Sequence, residues 1–188
     1  MEDININVDK DMEKQEKDRK KEDFFSWLKW IISAFLIAFI LRTFVFQMAI
    51  VNQISMEPTL QEGQMLVISK MNYIVGTPDR GDIVVFKDVS QNKLLIKRVI
   101  GLPGETVEIK NGKVYINDEV LEDYTELETN SYGQNIWQVP QGKYFVMGDN
   151  RPHSRDSRAD TVGFVEKGEV VGQAVFRIWP VNQLGTLN

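Results

Sequence analysis

An apolar stretch from Phe24 to Ile50 divides this 188-residue chain and constrains its fold more than any other feature. Its uninterrupted core runs from Trp30 to Leu41, between Lys29 and Arg42. That core alone is shorter than the roughly 20 residues a helix needs to cross hydrocarbon. Lys29 and Arg42 can snorkel toward opposite headgroup layers, however. Phe24, Phe25, Trp27 and Leu28 before the core, and Phe44, Val45 and Phe46 after it, add length. Trp27 and Trp30 suit an interfacial belt. The other readings are a buried core helix and the apolar part of a cleaved leader. The tail before it is too acidic and too long for a leader's basic start, and no small-residue cleavage site precedes the β-rich remainder of the chain. We therefore expect a retained transmembrane anchor over residues 24–50.

Residues 1–23 carry almost no core-forming side chains. Lys17, Arg19, Lys20 and Lys21 alternate with Glu16, Asp18, Glu22 and Asp23, which reads as a solvated tail. Lysines and arginines concentrate before the apolar stretch, and this bias holds an N-terminus in the cytoplasm. The expectation is a single-pass protein of the plasma membrane, with residues 51–188 as an extracytoplasmic domain. The net charge of −5 makes nucleic acid a poor partner. The absence of cysteine excludes disulfides, thiol catalysis and thiolate metal sites. One histidine and no His/Asp cluster argue against a catalytic metal, and no cofactor is implied.

Beyond Val51 the chain reads as β. Ile83–Phe86, Leu94–Ile100, Tyr144–Met147 and Val170–Trp179 are short β-branched or aromatic runs. Thr106–Lys110 and Lys113–Asn117 flank Asn111-Gly112, a two-residue hairpin signal. Pro78–Gly81 marks another turn. Residues 122–140 hold few core-forming side chains and read as a loop. No internal repeat is visible.

Two residues carry a chemical signal. A serine hydroxyl is a weak nucleophile until a base takes its proton. Lysine can be that base when burial keeps it neutral. Lys97 sits among Leu94, Leu95, Ile96, Val99 and Ile100, the apolar setting such a base needs. Strand alternation puts Leu95 and Lys97 on one face and Ile96 and Arg98 on the other, which assigns Arg98 to an ion pair away from the chemistry. Ser55 lies three residues before Pro58 and is the candidate nucleophile; taken alone it reads as a turn serine before the proline, because Ser-X-X-Pro is a weak signal. His153 is adjacent to Ser154, and neighbouring side chains in extended chain point apart. A serine and a lysine in this setting, on a tethered chain, point to peptide-bond hydrolysis.

Four segments carry a closer resemblance: Ser55-Met56-Glu57-Pro58-Thr59-Leu60, Arg80-Gly81-Asp82-Ile83-Val84-Val85-Phe86, Lys97-Arg98-Val99-Ile100-Gly101-Leu102-Pro103-Gly104, and Gly148-Asp149-Asn150-Arg151-Pro152-His153-Ser154-Arg155-Asp156-Ser157-Arg158. In this order, after an apolar helix, the chain resembles the bacterial type I (leader) signal peptidases, in a compact Gram-positive-like form. The resemblance spans about Phe24 to Pro180. It implies a mostly β fold of antiparallel, coiled, barrel-like sheets after one N-terminal transmembrane helix. It implies a serine endopeptidase that removes signal peptides from exported preproteins after Ala-X-Ala-like sites. Ser55 would be nucleophile, Lys97 general base, and Ser154 the hydroxyl that orients the lysine. Asp149, Asn150, Arg151, Asp156 and Arg158 would be structural supports. Val51, Met56, Leu60, Leu95 and Ile96 would line shallow substrate pockets. The implied partners are signal peptides, the lipid bilayer and the secretion machinery.

Two departures stand out. Gln53 occupies a position where serine or glycine is common, so an oxyanion there would be met by the Ser55 backbone N–H and by a glutamine amide of different reach. Glu105 stands where aspartate is common. Two other classes fit parts of the pattern. A self-cleaving repressor shares the serine–lysine pair but should carry a DNA-binding domain where the apolar stretch lies. A tethered β module without activity should lack Ser55 or Lys97.

Overall fold

The structure is a computed structural model that describes residues 25–39, 45–122, 124–125, 127–131 and 133–187. The charged tail, Phe24 and Arg42 lie outside the described residues. Residues 25–39 form one helix, α1, whose aromatic and aliphatic side chains are exposed apart from the half-buried Leu28. Among the described residues no helix is long and apolar enough to cross a membrane.

The remainder is mostly β. In chain order it runs β1 (Phe46–Ile50), β2 (Met65–Ser69), α2 (Met71–Val75), β3 (Ile83–Asp88), β4 (Lys93–Gly101), β5 (Thr106–Lys110) and β6 (Lys113–Ile116). After these come β7 (Glu119–Val120), β8 (Ile136–Gln138), β9 (Lys143–Met147), β10 (Val165–Glu166), β11 (Val170–Trp179) and β12 (Gly185–Thr186). Eight strands form one sheet in the order β1-β2-β11-β3-β4-β9-β10, with β12 on β11. Four form a second sheet, β7-β6-β5-β8. Every described pairing is antiparallel. The mostly β, antiparallel class expected from sequence is the one observed.

The short apolar runs become strands because both faces of the large sheet are covered. Ile83 and Val85 pack with Ile68, Leu66 and Met56, while Val84 and Phe86 pack on the other face with Leu95, Val99 and Val146. A third cluster joins the sheets, with Trp137 against Phe145 at a ring separation of 5.1 Å. The hairpin β5–β6 turns through Asn111 and Gly112 at φ 52° and 74°, the left-handed region its two-residue loop requires.

Three local outcomes differ from the sequence reading. Phe46–Ile50, assigned to the apolar anchor, form β1, paired residue for residue with β2. Their exposure alternates, a period of two rather than of a helix. The segment 122–140, read as a loop, contains β8, held because Trp137 is buried and pairs with Val107. β2 also escaped the sequence reading, and it is the strand that joins β1 to β11.

Candidate active site

Ser55 lies in a single helical turn, Ile54–Met56, within the loop between β1 and β2. Met56 and Leu60 anchor the loop in the core at 1% and 0% exposure. Its base is tied by Val51 N–H to Gln64 O at 2.9 Å and Gly63 N–H to Val51 O at 2.8 Å. The loop after β9 grips the turn from outside. Asn150 donates its backbone N–H to Ser55 O and its side-chain amide to Ile54 O, each at 3.1 Å.

Lys97 comes from the middle of β4, opposite Val84 on β3. Its ammonium nitrogen lies 2.6 Å from Ser55 Oγ and 3.0 Å from Ile96 O. Lys97 is 1% exposed and Ser55 6%. Burial is the dominant influence on Lys97 and pulls its pKa down from 10.5 to about 8. The carboxylates of Asp156 and Asp149 oppose this, and the guanidinium groups of Arg155 and Arg158 reinforce it. A lysine in this state reaches the neutral form at mildly alkaline pH and can then accept the proton of the hydroxyl it touches.

The remaining candidate residues build the frame. Arg98 and Asp149 form a buried two-point pair, with Nε to Oδ1 at 3.0 Å and Nη2 to Oδ2 at 2.8 Å. Arg98 also donates to Gly81 O at 2.8 Å and lies over the Tyr124 ring at 4.4 Å. Thr59 Oγ1 donates to Asp149 at 2.6 Å, tying the nucleophile loop to the same carboxylate. Asp156 and Arg158 form a second buried pair at 2.8 Å, and Asp156 also accepts from Gly148 N–H at 3.0 Å. Arg151 donates to Gly148 O at 3.2 Å and Thr129 Oγ1 at 2.6 Å. Asp149 and Asp156 thus each meet a buried guanidinium, and Arg151 meets a carbonyl and a hydroxyl, the pairing that burial demands.

Ser154 is buried beside Gly148, where its side chain and Ser55 O would both collide with any added Cβ. That close approach explains glycine at 148. It brings Ser154 against the turn that holds the nucleophile. His153 shares a rim with Ser55 and Lys97, and its Nδ1 lies 3.1 Å from Asn150 Oδ1. The described contacts of Ser55 Oγ include Lys97 and not His153.

Two hollows meet at Ser55. One, of about 560 Å³, is lined by Ala49, Val51, Met56, Val85, Leu94 and Ile96 among others, with Gln53 at its edge. The second, of about 380 Å³, is lined by Ile54 and Leu95 together with Lys97 and other polar groups, and again Gln53. Val51, Met56 and Ile96 therefore face the first hollow, and Leu95 the second. Leu60 lies behind them in the packed core. Glu105 accepts from Arg80 at 2.5 Å and from Leu102 N–H at 2.7 Å, so it closes the turn after β4.

Sequence reasoning did not single out Thr59, Tyr124, Thr129 or Arg155. Thr59 and Arg155 lie inside the segments already marked; Tyr124 and Thr129 lie in the stretch read as loop, where nothing local signals a partner in the distant frame.

Comparison with known proteins identifies the family. The profile described as signal peptidase, peptidase S26, matches residues 24–179. A signal peptidase I of Bacillus licheniformis is 39% identical, over 92% of this chain and 98% of its own length. Signal peptidase I T of Bacillus subtilis (strain 168) is 36% identical, over 97% of each chain. A probable signal peptidase I-2 of Synechocystis is 38% identical, over 92% of this chain and 84% of its own. The chain belongs to the signal peptidase family, peptidase S26, and is a serine peptidase of the signal peptidase I type.

Proposed function

We propose that this protein is a membrane-anchored endopeptidase that removes signal peptides from exported preproteins, with Ser55 as nucleophile and Lys97 as general base. The observation that carries the reading is the 2.6 Å contact between Ser55 Oγ and a buried Lys97 whose pKa falls to about 8. Neutral Lys97 takes the Ser55 proton as the hydroxyl attacks the scissile carbonyl. It then returns a proton to the leaving amine, and a water repeats the cycle on the acyl-enzyme. The Ser55 N–H and the Gln53 amide are the proposed oxyanion donors. Ser154 holds the lysine in one rotamer.

The substrate adds as a strand. Among the described residues β1 pairs only with β2, and β9 joins β4 only from Arg98 onward, so β1 and the first half of β4 offer strand edges beside the first hollow. Small side chains before the cut fit between Val51, Met56 and Ile96, which supports Ala-X-Ala-like specificity. The apolar stretch anchors the chain with its N-terminus in the cytoplasm and its catalytic domain outside, where cleavage sites leave the bilayer beside the secretion machinery. Ser55→Ala and Lys97→Ala should each abolish cleavage of a purified preprotein, and their losses should not add in the double variant. Near-normal cleavage by Lys97→Ala refutes the dyad.

A further inference from the structure

The hollow on the Lys97 side of Ser55 carries more charged side chains than its neighbour, and proton transfer within the dyad uses only Lys97 among them. If small apolar side chains before the cut occupy the first hollow, the residues after the cut leave through the second. The charged groups that face it are Lys93, Arg155, Lys97 and Glu62. Lys97 must be neutral to act. That leaves two cations, from β4 and the loop after β9, and one carboxylate from the segment before β2.

Arg155 is built into this wall. Its Nη2 donates to Asp88 Oδ2 and its Nη1 lies 3.4 Å from Thr161 Oγ1. Asp88 is 5% exposed, and its other oxygen takes the N–H and hydroxyl of Ser90 at 3.0 and 2.6 Å. Burial opposes its charge, but the Ser90 and Arg155 donors outweigh burial and hold its pKa below the ordinary value. Asp88 lines a different hollow, with Phe86 and Val165, so its charge stands behind the guanidinium. Arginine has five N–H donors, and these two contacts leave three for a ligand. A carboxylate is the ligand such a fork holds best.

We propose that this second hollow binds the first residues of the released chain, and that Arg155, braced by Asp88, selects an acidic side chain there. This deepens the reading of Ser55 and Lys97 as the dyad and rests on it. The test uses the full-length protein in detergent at about pH 9, where Lys97 is largely neutral. Peptides identical up to the cut carry Glu, Gln or Lys at the second and third residues after it. The expected kcat/KM for Glu exceeds that for Gln by roughly three- to fivefold, the range for a partly exposed ion pair, and the difference lies in KM. Arg155→Gln should bring the Glu/Gln ratio to about one, and Arg155→Lys should retain it. A wild-type ratio of one, or a ratio that survives Arg155→Gln, overturns the proposal. Should Arg155→Gln fail to fold, the wild-type ratio must fall toward one as salt rises; a salt-independent ratio refutes it. Cleavage by Lys97→Ala would instead refute the dyad, since any loss there affects all three peptides alike.

Discussion

Lys97 has two fates that pull against each other. Its 1% exposure makes it useful as a base and costly as a cation. Because its folded pKa lies near 8 and its ordinary value near 10.5, the folded state binds fewer protons than the unfolded state across that window. The stabilisation from a neutral Lys97 is therefore complete above about 10.5 and lost as pH falls through about 8. Lys97→Met should remove this dependence. The stability difference between variant and wild type, read by urea unfolding, should favour the variant more at pH ~7 than at pH ~10, by about 2 kcal/mol. An equal difference at both pH values would mean that Lys97 keeps an ordinary pKa. The apolar neighbours of Lys97 made this state legible in sequence. The proximity of Ser55 could not be read from local pattern, because it depends on a loop and a strand 42 residues apart.

At the scale of elements, the site is a loop and a strand clamped by a third segment. β4 presents Lys97 to one side and Arg98 to the other, and Arg98 reaches Asp149 after β9. Asp149 in turn holds Thr59 of the nucleophile loop. Asp149→Ala would leave Arg98 buried without its carboxylate, at a cost of about 3–5 kcal/mol. Replacing both by apolar residues, Arg98→Met with Asp149→Leu, should recover much of it. Urea midpoints of the three proteins check this, and an unchanged midpoint for Asp149→Ala would show that the brace carries no stability. The strands that sequence revealed most plainly were those with continuous apolar runs, such as β3 and β9, because both their faces are covered. β1 and β8 were missed for opposite reasons. The alternation of β1 was hidden at the end of a longer apolar stretch, and β8 has only Trp137 to declare it.

For the whole molecule, the proposed anchor would decide where the chemistry happens. If the stretch is the anchor, protease added to intact spheroplasts should digest the β domain and spare a tag at the N-terminus. The reverse pattern would put Ser55 in the cytoplasm and remove the signal-peptide reading. The loop, the brace and the buried strand converge on one quantity, the charge on Lys97. The pH dependence of kcat/KM for preprotein cleavage measures it most directly. With Lys97 as the base, activity falls on the acid side through a single ionisation near pH 8 and persists in full into alkaline solution. An acid limb near pH ~6.5, the ordinary value for histidine, would instead hand the role of base to His153 and refute the serine–lysine mechanism.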